Sequence, residues 1–306
     1  MTAPPKVPLR LRIERSLKRT GFLVSRTLVR RLRFERVRPA GELLGELRFR
    51  LGFFPRRRMV RELAAILGLS NREAHRVMRN AYRINDAALL EMLKMLDRRE
   101  DPASLLPRIR VDGIATLRKA LEARRGAILL SGHMGNGALL LMRLVSEGIP
   151  VSVVYREARM MDRGLFERGV AFYGIEGILA TEGIRSYAKM VSALRRNRVI
   201  YIMADQGTKK PADGMLFRFL GKDMTMPAGP AQLARQSKAP VLPVAIVAAD
   251  PVWHFEILPP VEFAAGSSLE SDVETLLRVS ERYILRHPQL WSWHHRRWRK
   301  HRLAAR

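Results

Sequence analysis

From Val111 onward the chain alternates short, uncharged apolar runs with stretches of helical spacing, and this alternation limits the available folds more than any other feature. Ala127–Ser131, Val151–Tyr155, Val199–Ala204 and Val241–Ala248, short and rich in Val, Ile and Leu, read as buried strands. Between them lie predicted helices over Asp112–Arg125, Ala138–Ser146, Gly183–Arg195 and Pro227–Ser237, with Ser271–Arg286 closing the pattern. Phe255–Leu258 reads as an added edge strand. Strands alternating with helices predict an α/β fold, a mostly parallel central sheet flanked by helices. In such sheets ligands bind beyond the carboxyl ends of the strands, so the turns there are where chemistry is expected.

The first 110 residues follow a different pattern. Residues 41–97 have helical periodicity, with Ser70 and Glu73 spaced as a capping box opening one helix. Residues 1–40 read as a separate basic arm, and residues 41–306 as one α/β domain with a helical subregion over 41–97. Lys and Arg number 56 against 29 Asp and Glu, a net charge of +27, and residues 1–60 hold 17 basic against 4 acidic side chains. Such an excess selects anionic partners. Leu9, Leu11, Ile13, Leu17, Phe22, Leu23, Leu28, Leu32 and Phe34 are interleaved with these charges, the composition of a helix lying on an anionic membrane. No uncharged apolar stretch reaches spanning length, and no secretory signal pattern opens the chain. Nucleic-acid binding would rest on charge alone, without a recognisable module. Cysteine is absent, which removes thiolate metal sites, disulfides and a Cys nucleophile.

Three turns carry the candidate chemistry. Ser131-Gly-His-Met-Gly-Asn-Gly137 brings a His out of a strand beside three glycines and into a helix N-terminus. A neutral imidazole there could accept a proton from a hydroxyl, and the helix N–H groups suit an anion or a developing oxyanion. A plain strand-to-helix turn is the other reading of an isolated His in this setting. Val153-Val-Tyr-Arg156 ends a strand on a guanidinium suited to a phosphate. Ala204-Asp-Gln-Gly207 ends another on Asp205 and Gln206, followed by Lys209 and by Arg218 within Phe217–Gly221. Phosphate-loop, dinucleotide-turn and nucleophile-elbow motifs are missing. His294 and His295 have no nearby carboxylate or Cys to complete a metal site. Trp291, Trp293 and Trp298 fit either a membrane interface or the core.

Taken in order, His133-Met-Gly-Asn136, Tyr155-Arg156, Asp205-Gln206, Phe217–Gly221, Pro227–Ala234 and Val241-Leu-Pro-Val244, with the Trp291–Trp298 tail, resemble the lipid A biosynthesis (late) acyltransferase family of the lysophospholipid acyltransferase superfamily. The likeness runs from about residue 43 to 300. It implies a peripheral-membrane acyltransferase at the cytoplasmic face of the inner membrane. Such an enzyme moves a fatty acyl chain from a thioester, on acyl carrier protein or coenzyme A, to a hydroxyl of an anionic membrane lipid or glycolipid. His133 is the implied general base and Asp205 its companion. Arg156, Asn136, Gln206, Lys209 and Arg218 are the candidate substrate-binding residues. No metal, cofactor or nucleic acid is expected.

The sequence departs from the family at one place. The family carries an aromatic residue and then an acid five residues after the His; here Gly137 and Ala138 stand there. An acid orients the imidazole and stabilises its protonated form. Two readings follow. Asp205, or another acid such as Glu157, orients His133 from a different strand end, or the chain is a catalytically impaired homologue that only binds lipid or a partner.

Overall fold

A computed structural model describes residues 9–52, 56–157, 164–208 and 211–293. The chain opens with helices α1 (Leu9–Arg31), α2 (Phe34–Leu51), α3 (Arg56–Leu67) and α4 (Asn71–Arg98), then a single helical turn, α5 (Pro102–Leu105). There follow β1 (Ile109–Asp112), α6 (Ile114–Leu121), β2 (Ala127–Ser131), α7 (Gly137–Ser146), β3 (Val151–Tyr155), α8 (Leu165–Phe172), β4 (Glu176–Leu179), α9 (Ile184–Arg195) and β5 (Val199–Met203). The chain ends through β6 (Met215–Phe219), β7 (Lys222–Met226), α10 (Gly229–Ser237), β8 (Val241–Ala248), β9 (Trp253–Ile257) and α11 (Leu269–Arg286).

Among the described residues seven strands form one sheet in the order β1-β9-β8-β2-β5-β3-β4, and β6 pairs with β7 as a separate hairpin. Every neighbouring pair of the large sheet is parallel except β8 with β9. This is the mostly parallel, helix-flanked α/β sheet that the alternation predicts. β2 is buried along its whole length, so its apolar residues face helices on both sides.

Three expectations change in detail. Phe255–Leu258 is not an edge strand: β9 lies inside the sheet between β1 and β8, and β1 is the edge. Asp112–Arg125 is not one helix, because Asp112 ends β1 and helix α6 occupies only Ile114–Leu121. The boundary at residue 40 falls inside α2.

Residues 34–51 are bound to the domain for a steric reason. Gly41 and Gly45 lie directly against the backbone of α4; a Cβ on either would meet Ala87 Cα at 2.4 Å or Tyr82 O at 2.5 Å. The resulting close approach buries Val37 and Phe49. The Ser70–Glu73 capping box forms in full at the start of α4. Acids along α4 capture basic residues of the first two helices. Asp97 pairs with Arg26 at 2.6 Å and Arg30 at 2.9 Å, Glu91 with Arg38 at 2.9 Å, and Asp86 with Arg48. Phe22 and Phe34 are buried, whereas Leu23 and Leu28 stay exposed. The first eight residues lie outside the described residues.

Candidate active site

β2 and β5 are adjacent and parallel, with Ser131 opposite Met203 at their carboxyl ends. Two residues beyond each partner stand His133 and Asp205, and the register alone brings them together. His133 Nδ1 lies 2.6 Å from Asp205 Oδ1, and the His133 backbone N–H donates to Asp205 Oδ2 at 2.9 Å. The Trp291 indole N–H donates to that same Oδ2 at 2.7 Å. Asp205 is fully buried, while the His133 side chain is 29% exposed. The imidazole therefore opens to solvent on one side and rests on a buried carboxylate on the other. With Nδ1–H donated to the carboxylate, Nε2 is left as the acceptor, the nitrogen that could take a proton.

Gln206 Nε2 is 2.9 Å from His133 Nε2 and 3.3 Å from Nδ1, so an amide donor covers the basic nitrogen. The backbone of the turn is held from the carboxyl-terminal segment. Ser292 places its hydroxyl 2.7 Å from the His133 carbonyl oxygen and 2.9 Å from Asn85 Oδ1, and its N–H donates to the same carbonyl at 3.1 Å. Met134 forms an isolated bridge with Trp291. Beneath the turn, Gly135 has φ +49°, and a Cβ there would lie 2.4 Å from the Trp253 ring. Trp253 in turn donates its indole N–H to buried Glu91 at 2.6 Å. Only glycine satisfies both the left-handed backbone and this wall.

The structure brings His133, Asp205 and Gln206 together. Asn136 is buried at the start of α7, its amide oxygen and nitrogen both without a hydrogen-bond partner. Arg156, after β3, and Arg218, on β6, are exposed. Lys209, His294, His295 and Trp298 lie outside the described residues. Glu157 is not the acid on the imidazole; it accepts from the Gly164 N–H at 2.9 Å. Ala138 is buried in the first turn of α7. Gly137, where the family has an aromatic residue, leaves room for Tyr201, whose hydroxyl would lie 2.7 Å from a Cβ at 137. Burial pushes that phenol up to about 12.

Sequence reasoning missed Trp291, Ser292 and Trp253 as parts of this site. Trp291 and Trp293 are buried, which places both in the core. The available signal was their spacing inside the motif tail; nothing in it says that Trp291 reaches Asp205.

The family profile described as bacterial lipid A biosynthesis acyltransferase matches residues 18–300. The chain belongs to that family. Among curated relatives of this lipid A acyltransferase-family chain is a phosphatidylinositol mannoside acyltransferase of Mycobacterium tuberculosis H37Rv, 28% identical over 185 residues, or 59% of this chain and 57% of the relative. The protein of the same description from Mycolicibacterium smegmatis is 30% identical over 170 residues, covering 54% and 55% of the two chains. The chain thus spans a little over half the length of the curated relatives it matches. No described helix of this family member is long and apolar enough to cross a membrane.

Proposed function

We propose that this protein is a peripheral-membrane acyltransferase. It moves a fatty acyl group from a thioester, carried by acyl carrier protein or coenzyme A, to a hydroxyl of a lipid or glycolipid acceptor at the cytoplasmic membrane face. The observation that carries the reading is the buried Asp205 carboxylate 2.6 Å from Nδ1 of a partly exposed His133 at the carboxyl end of a parallel sheet.

In this reading the acceptor hydroxyl displaces the Gln206 amide and donates its proton to His133 Nε2. The alkoxide oxygen forms a bond to the thioester carbonyl carbon. The tetrahedral intermediate then collapses, the C–S bond breaks, and the departing thiolate takes the proton from the imidazolium. An ester and a free thiol are the products. Asp205 holds the tautomer and stabilises the imidazolium. The N–H groups at the start of α7 face the developing oxyanion. Arg156 and Arg218, with Lys209 and Asn136, complete the substrate contacts, the guanidinium groups serving phosphate.

The relatives' description as phosphatidylinositol mannoside acyltransferases supports a glycosylated phospholipid as the acceptor class. A catalytically impaired lipid-binding homologue is the weaker reading. It rests on Ala138, and Asp205 already occupies the nitrogen that an acid from position 138 would serve. Lipid mass spectrometry of a strain lacking the gene tests the proposal. A glycolipid short of one acyl chain, restored by the wild-type gene and not by His133→Ala, is expected; an unchanged lipidome contradicts it.

A further inference from the structure

Among the described residues α2 buries one face against α4 and exposes the other. Val37, Gly41, Gly45 and Phe49 are buried. On the opposite side Leu43, Leu47 and Leu51, at four-residue spacing, are 61%, 46% and 67% exposed. Three leucines in one stripe form an apolar surface of the kind that marks an interaction site.

The stripe lies on the catalytic side of the molecule. Near its carboxyl end α4 touches α8, which leads into the start of β4: Gly169 packs on Leu96, and the Tyr173 hydroxyl donates to Met95 O at 3.1 Å. Asn85 stands level with the catalytic turn through Ser292. The 14 residues of α4 from Asn71 to Ile84 therefore project past that turn by roughly 21 Å at 1.5 Å per residue. α2 runs antiparallel to α4: Arg38 meets Glu91, Glu42 meets Arg83, and Phe49 packs on His75. Its exposed leucines thus sit on the projecting half, which α3 joins through residues 68–70.

Charge selects the occupant. Residues 41–83 contain four acids, and every one is bonded within the protein. Glu42 pairs with Arg83, Glu46 with Arg50 and Arg79, Glu62 with Arg58, and Glu73 closes the Ser70 cap. Arg57 and Arg61 on α3 and Arg72 and Arg76 on α4 remain exposed. Exposed leucines in a helical region with this basic excess match an interface with acyl chains below and phosphates above. A second copy would set like charges face to face.

We infer that the α2 stripe Leu43–Leu47–Leu51, with the α3–α4 arginines, seats the helical region beside the candidate site on an anionic bilayer. This rests on the acyl-transfer reading only for its purpose, since binding is measured without turnover. The full chain is mixed with vesicles of phosphatidylcholine containing about one-third phosphatidylglycerol, and bound protein is measured by flotation. One variant carries Leu43→Ser, Leu47→Ser and Leu51→Ser; the other carries Arg57→Gln, Arg61→Gln, Arg72→Gln and Arg76→Gln. Circular dichroism and melting temperature check that both stay folded, which the exposure of all seven positions favours.

Each variant is expected to bind at least tenfold more weakly, and the arginine variant to lose its preference for anionic over pure phosphatidylcholine vesicles. Wild-type binding by the leucine variant overturns the inference. So does a leucine variant that loses only self-association in sedimentation, or only binding to an acidic carrier protein, with vesicle binding intact. Transfer to a detergent-dispersed acceptor separates the two claims. Turnover surviving in a variant that no longer floats supports the docking face, whereas stripe-dependent flotation without turnover by any form removes the enzymatic reading and leaves the docking face standing.

Discussion

Asp205 Oδ2 accepts from the Trp291 indole N–H at 2.7 Å while Oδ1 of the same carboxylate meets His133 Nδ1 at 2.6 Å. A residue 86 positions away in sequence thereby fixes the rotation of the carboxylate that faces the imidazole. Trp291→Phe keeps an aromatic side chain, removes the donor and leaves a smaller ring in a buried site. A hydrogen bond to a charged group contributes about 1.5–3 kcal/mol. Steady-state kinetics should show kcat down roughly tenfold or more with KM little changed. An unchanged kcat would mean that Asp205 keeps its orientation without the indole.

Ala138→Glu tests whether the acid absent from position 138 is a defect. Ala138 is buried, and Asp205 already serves Nδ1. A new carboxylate there loses hydration without gaining a role; an unpaired neutral polar group already costs about 1–3 kcal/mol, and a charged one more. The transfer rate should not rise and the melting temperature should fall. A faster variant would show that the imidazole lacked a needed partner.

Gly137 and Tyr201 are complementary in volume. A methyl at 137 would lie 2.7 Å from the phenol oxygen of a residue buried in β5. Gly137→Ala should cost about 1–3 kcal/mol in denaturant unfolding, the range for overpacking. Tyr201→Phe removes the clashing oxygen, so the double variant should recover most of that loss. Additive losses in the cycle would break the pairing.

Asp86 gives the helical layer a pH dependence. Burial, opposed by the Arg48 guanidinium, pushes its carboxyl up from the ordinary 3.8 to about 6. A raised carboxylate favours folding most when protonated. Its contribution is full below pH 4 and is lost as the pH rises through 6, a change of roughly 3 kcal/mol at 1.36 kcal/mol per unit. Asp86→Asn should flatten the stability profile across that window, read as denaturant midpoints at several pH values. An unaltered profile would show that Asp86 titrates normally.

Strands with uninterrupted apolar runs were legible in the sequence because burial on both faces leaves no polar residue to blur them. β2, β3, β5 and β8 fall where the runs are. β1 and β4 were not legible: each is a four-residue edge strand carrying Arg, Asp, Glu or Gly. The β6–β7 hairpin was read only as a Phe-rich segment. Its turn, Leu220-Gly221 with φ +49° and +69°, lacks the Asn-Gly or Asp-Gly signal that usually marks such a corner.

The site divides the same way. His133, Asp205 and Gln206 stood out as polar residues ending apolar runs. That Asp205 rather than Glu157 meets the imidazole depends on β2 pairing with β5, and adjacency of non-consecutive strands leaves no local trace. The reading of residues 1–40 as an arm saw interleaved Leu and Arg. It could not see that the α4 carboxylates Asp97 and Glu91 capture Arg26, Arg30 and Arg38. Nor could it see that Gly41 and Gly45 let α2 close onto α4.

The most direct test follows a labelled acyl chain from a thioester to membrane lipid with wild-type protein, His133→Ala and Asp205→Asn side by side. The wild type should form labelled acyl lipid. His133→Ala should fall to background, and Asp205→Asn should drop by about 10⁴, the scale of losing an orienting acid beside a catalytic His; all three should melt cooperatively. Wild-type transfer by a folded His133→Ala protein would contradict the account.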